Sequence, residues 1–221
     1  MSLLREIQAA ATESKVDIST VLRKAKILAV RLQYPEFETW VDRGELNGYV
    51  HGSSLPPYRV VPIEVRGHIC RRGLHWNDAP IMTTFLPENL KAWGEACYFY
   101  QPIAALVSAA QSSQDGKGQL QVPWPQELAV KFGAKGYDGF ECLGAWQVVS
   151  PHALLGIVDT VRNRILDFSL RIEAENPEAG EAVPGTQPIP RDRVQTIFQN
   201  TFYGSVGNIA QNGQDFTQMA K

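Results

Sequence analysis

Ser150-Pro151-His152-Ala153-Leu154-Leu155-Gly156-Ile157-Val158-Asp159-Thr160-Val161-Arg162-Asn163-Arg164-Ile165-Leu166-Asp167-Phe168-Ser169-Leu170-Arg171-Ile172 is the strongest structural signal in the chain. Leu154, Val158, Val161, Ile165, Phe168 and Ile172 recur at alternating steps of four and three, which places them on one stripe of an α-helix. Ser150 suits the N-cap, and Pro151 suits the first helical position, where its missing N–H costs nothing. The pattern predicts one long helix over 150–175. Any fold containing it must cover that stripe with other apolar faces.

Upstream, the first 48 residues supply such faces. Leu3, Leu4, Ile7, Ala10 and Ala11 have helical spacing, as do Val21, Leu22, Ala25, Leu28, Ala29 and Leu32 after a break near Asp17. Pro35 opens a third short helix carrying Phe37, Trp40 and Val41. Residues 1–48 are therefore expected to form a three-helix unit. Between this unit and the long helix the pattern turns mixed. Residues 59–66 alternate as a strand, with Pro62 marking an edge or an interruption. Residues 87–112 read as one or two helices broken at Pro102, and residues 142–149 as a strand or a connector. The fold class expected is α+β and mainly helical: an N-terminal three-helix unit, a central mixed segment, a long C-terminal helix, then a β-prone tail. Residues 49–175 are read as a mixed body forming one folded unit with 1–48.

Downstream, residues 176–193 are rich in proline and glycine and read as a stiff linker. The tail over 194–221 has a different composition. From Val194 to Ala220 it holds one charge, Asp215, and eight Gln or Asn residues. Uncharged, amide-rich stretches with interspersed aromatics and no proline favour stacking between chains. Phe202, Tyr203, Val206, Asn208 and Ile209 are the expected assembly residues, the apolar set for packing and Asn208 for an amide ladder. A tail folded back on its own chain is the competing expectation.

Bulk composition narrows the function classes. With 221 residues, 21 Lys+Arg against 23 Asp+Glu and a net charge of -2, the chain lacks the basic excess of a nucleic-acid binder, so nucleic acid is not an expected partner. The longest mostly apolar run, Ile103–Ala110, falls far short of the ~20 residues that span a bilayer. Arg5 and Glu6 near the start argue against a signal peptide. Three cysteines, widely spaced, fit a reducing compartment, so the protein is expected in the cytoplasm, without a membrane partner.

Little in the sequence carries chemistry. His68, Cys70 and His75 place three possible metal ligands close together, but their spacing matches no zinc pattern and Arg71 and Arg72 adjoin them. Asp159, Arg162 and Asn163 share one face of the long helix and are the candidate catalytic residues, yet no histidine or paired carboxylate accompanies them. No cofactor or metal is expected, and the balance leans away from an enzyme.

Several stretches resemble the AbiTii family of bacterial abortive-infection proteins: Leu22-Arg23-Lys24-Ala25-Lys26-Ile27-Leu28-Ala29, Glu45-Leu46-Asn47-Gly48-Tyr49, Leu55-Pro56-Pro57-Tyr58-Arg59, residues 156–168, and Phe202-Tyr203-Gly204-Ser205-Val206-Gly207-Asn208-Ile209-Ala210. Gly44 looks like an insertion between Arg43 and Glu45. The resemblance implies defence against phage and brings no catalytic residues with it. The combined expectation is a defence protein acting by self-assembly or partner recruitment through its tail, as a homo-oligomer or with another defence-system or phage protein. Two alternatives stand beside it: a toxin-like enzyme acting on nucleic acid or nucleotide, and a sensor module binding a phage protein.

Overall fold

The computed structural model describes residues 2–115, 119–183 and 185–204. The chain divides into two compact units, residues 1–48 with 160–221, and residues 49–159. The body expected over 49–175 is instead divided, because the chain re-enters the first unit at Thr160.

The first unit is helical. Helices α1 (Leu3–Thr12), α2 (Ile18–Arg31) and α3 (Pro35–Thr39) arise where the apolar spacing predicts them. The long helix α7 (Pro151–Glu175) contributes its residues from 160 onward to this unit. Its stripe is buried over its whole length, Leu154, Val161, Ile165, Phe168 and Ile172 being at most 1% exposed. α3 continues into a π-helical turn over Trp40–Leu46, where the Asn47 N–H reaches back five residues to the Asp42 carbonyl at 3.1 Å. One extra residue inside a helix is absorbed by such a turn without breaking the helix, and Gly44 lies in it.

The last described helix, α8 (Arg191–Phe202), lies within the segment expected to begin a β-prone tail. Val194, Ile197, Phe198 and Phe202 follow i, i+3, i+4, i+8 spacing, and all four are buried. Their rings join an aromatic cluster with α3, its π turn and α7. Phe37 lies 4.4 Å from Phe168 and 5.6 Å from Phe202, and Trp40 lies 4.4 Å from Phe202, ring centre to ring centre. Tyr34 meets Phe198 edge-on at 5.3 Å. Such pairs add about 0.5–1.5 kcal/mol each beyond the burial of their area.

The segment between α7 and α8, read from sequence as a linker, packs onto the unit over much of its length. Ala179, Gly180 and Ile189 are buried. A Cβ on Gly180 would come within 3.1 Å of Leu4, so a larger residue there would require α1 to give by a few tenths of an ångström. Glu181 accepts the Leu3 N–H at 2.8 Å, and Asn176 donates to the Pro188 carbonyl at 3.0 Å.

The second unit is built on an antiparallel four-stranded sheet in the order β3 (Leu74–Pro80), β2 (Glu64–Arg71), β6 (Glu141–Val149), β5 (Leu120–Pro123). A separate pair joins β1 (Val60–Pro62) to β4 (Ala96–Tyr98). Pro62 sits opposite Ala96, while the Ile63 N–H and Glu95 carbonyl beside them are bonded. Pro62 is thus at a position whose N–H points out of the ladder, so its lack of one costs no bond. Helices α4 (Glu88–Glu95), α5 (Ile103–Asp115) and α6 (Gln126–Phe132) complete the unit with the start of α7. Its core gathers Val65, Ile69, Trp124, Phe132 and Ala145 around one face of the sheet.

The two neighbours Phe202 and Tyr203 separate core from surface. Phe202→Ala is expected to destabilise the protein by about 3–5 kcal/mol in equilibrium denaturation, as for other buried phenylalanines. Tyr203→Ala, at a side chain 65% exposed, should change stability by less than about 1 kcal/mol.

Candidate functional site

A cleft of about 580 Å³ lies in the second unit. Six elements and one loop line it: Trp93 from α4, Cys97 and Tyr98 from β4, Ala105, Leu106 and Ala109 from α5, Leu120 and Val122 from β5, Gln147 from β6, Leu154 from α7, and His51. Space exists because α5 turns two alanines, one turn apart, toward it.

The wall over Phe99–Gln101 is held from behind by main-chain contacts. Arg59, a fully buried arginine, donates through Nη1 to the Gln101 carbonyl at 2.7 Å and the Phe99 carbonyl at 3.3 Å. The Tyr49 N–H bonds the Tyr100 carbonyl at 2.7 Å, and the Tyr49 ring lies 5.2 Å beneath the Arg59 guanidinium. A guanidinium can serve several carbonyls at once because its donors are fixed in a planar fork. His51 stacks on Tyr100 with ring centres 4.5 Å apart. Tyr49 and Arg59 each close one of the short stretches that carry the family resemblance, and both shape this wall.

One polar side chain stands out in the lining. Gln147 is 2% exposed and donates through Nε2 to the Trp93 carbonyl at 2.8 Å. No described residue donates to its Oε1. None of the described lining residues is Asp, Glu, Lys or Arg. Burial pushes the Cys97 thiol above its ordinary range, which keeps it protonated at neutral pH and a poor nucleophile. Burial does the same to Cys142, whose thiol donates to the Gly144 carbonyl at 3.4 Å.

The candidate catalytic residues on α7 occupy different surroundings. Arg162 donates to the carbonyls of Ala10 (3.0 Å), Glu13 (3.3 Å) and Val16 (2.7 Å). Those oxygens end α1 and the turn after it, so Arg162 serves as a side-chain cap for carbonyls that lack a helical partner. Asp159 and Asn163 are exposed. Among the assembly residues, Phe202 is buried in the first unit and Tyr203 is exposed, while Val206, Asn208 and Ile209 lie outside the described residues.

The possible metal ligands lie on the sheet of the second unit. Cys70 and His75 are cross-strand partners on β2 and β3, and the His68 ring rests 4.7 Å from that of Trp146 on β6. The register slips on both sides of β2 beside His68, toward β3 and toward β6. Among the described residues no cluster of three or more His, Cys, Asp or Glu side chains has the geometry to hold a metal ion. No described helix is long and apolar enough to cross a membrane.

These features define an α+β, mainly helical protein with a discontinuous helical unit and a sheet-based unit bearing an aromatic cleft. The AbiTii family model matches residues 2–198, and the chain belongs to that family. The family name places it in abortive infection, a bacterial defence against phage. No curated protein and no solved structure shows a significant match.

Two measurements check the side-chain roles assigned above. Arg162→Ala should cost roughly 2 kcal/mol of stability through its lost carbonyl bonds, whereas Asn163→Ala should be neutral within about 0.5 kcal/mol. Alkylation of Cys97 by iodoacetamide should be slower at pH 7.5 than that of a free cysteine. Because its folded pKa is raised, the thiolate and hence the rate should appear only at higher pH.

Proposed function

We propose that this AbiTii protein acts in phage defence by assembling with copies of itself, or by recruiting another defence-system or phage protein, through the segment that follows α8. The observation that carries this reading is compositional. After Phe202 the only charged residues are Asp215 and the final Lys221, amid amides, small residues and Tyr203, Val206 and Ile209. Such a stretch loses little by leaving water and can satisfy its amides by stacking on identical neighbours.

The burial of Phe198 and Phe202 supports a refined assignment of roles. Those two side chains are committed to the first unit, so the contact set is Tyr203, Val206, Asn208 and Ile209, with Phe202 as its anchor. The capping role of Arg162 also favours assembly over a catalytic trio on α7, since its guanidinium is already engaged by three carbonyls.

Two truncations test the reading. A chain ending at Gly204 keeps all of α8 and should fold, remain monomeric by light scattering and fail to protect cells from phage. A chain ending at Arg193 loses Val194, Ile197, Phe198 and Phe202 and should lose stability as well. Unchanged mass and unchanged protection in the chain ending at Gly204 would refute the proposal.

A further inference from the structure

From the cleft of the second unit we infer a binding site for an uncharged, planar heterocycle with a hydrogen-bonding amide edge, the chemistry of a nucleobase.

Three observations lead there. The walls are aromatic and aliphatic, with Trp93, Tyr98 and the stacked His51–Tyr100 pair around a space of about 580 Å³. That size and character fit a small-molecule pocket and favour a flat ligand that meets ring faces. The second observation is Gln147. Its amide is buried and oriented by the Trp93 carbonyl, which fixes which end accepts, and its Oε1 has no donor among the described residues. A purely hydrocarbon ligand would seal that acceptor unpaired, which is costly; a ligand N–H would satisfy it. Third, none of the described lining residues is Asp, Glu, Lys or Arg, and His51 is engaged in its stack on Tyr100. Phosphate or carboxylate groups find no Lys or Arg to pair with inside it, so the recognised part is the neutral ring, and any charged part of the ligand stays in solvent.

The Arg59 and Tyr49 contacts explain how such a site keeps its shape. They clamp the backbone of Phe99–Gln101, so the aromatic wall is set before a ligand arrives. Arg59 is a positioning residue here and does not touch the ligand.

The test is titration calorimetry on the full-length protein with guanosine and uridine, their 5′-triphosphates, and a single-stranded tetranucleotide. At least one nucleoside should bind saturably, and its triphosphate should bind no more than about threefold tighter. Gln147→Leu should weaken binding by roughly tenfold or more. Ala109→Phe, which fills the cleft from α5, should abolish it, with circular dichroism confirming that both variants fold. Tighter binding of the tetranucleotide would identify the base of a strand as the source, and weaker binding a free base; either supports the site. Absence of nucleoside binding at millimolar concentration would overturn the inference. So would triphosphates binding far more tightly than nucleosides, or full affinity retained in the Ala109→Phe protein. If Gln147→Leu misfolds, the Ala109→Phe result decides alone.

Discussion

Phe37 is the side chain on which the helical unit turns. It is fully buried and packs against Trp40, Phe168, Phe198 and Phe202, rings drawn from the first 40 residues and from residues 168–202. Because Phe37 and Trp40 lie more than 100 residues from the other three rings in sequence, closing the cluster costs chain entropy that only their mutual burial offsets. Once it is closed, residues 1–48 and 160–204 form one unit, and residues 49–159 become an insertion between its halves. Polar contacts follow the same logic. Arg162 caps α1, Arg191 pairs with Glu36 at 3.2 Å, and Arg31 faces Glu181 at 3.5 Å. Exposed pairs of this kind contribute little each, so the aromatic cluster dominates.

The insertion has its own device. Arg59 is buried without exposure and spends its donors on carbonyls of the chain that forms the cleft wall. A buried charge is costly unless its hydrogen bonds are made, which ties the conformation of residues 99–101 to the presence of that guanidinium. The helical unit therefore carries stability and the root of the tail, while the insertion carries a shaped, uncharged recess.

The legible part of the structure was the part written in local periodicity. The α7 stripe and the three N-terminal helices follow from residue spacing alone. Composition hides α8, because its Gln and Asn content suggests stacking although Val194, Ile197, Phe198 and Phe202 carry helical spacing; tertiary burial of those four outweighs composition. The segment over 176–190 looked like a free linker because proline and glycine dominate it, yet Gly180 is there for close approach to α1. The cleft could not be read at all. Its lining comes from six elements, and its one informative polar group, Gln147, sits inside an ordinary strand. Arg162 likewise has no local signature as a cap, since the carbonyls it serves lie some 150 residues away.

The claim that the aromatic cluster joins both ends of the chain into one cooperative unit is tested most directly by native-state hydrogen exchange on the Phe202→Leu protein. Amides of α2 and α8 should lose protection together and by the same free energy, because both depend on the cluster. Loss of protection confined to α8, with α2 unchanged, would contradict the account.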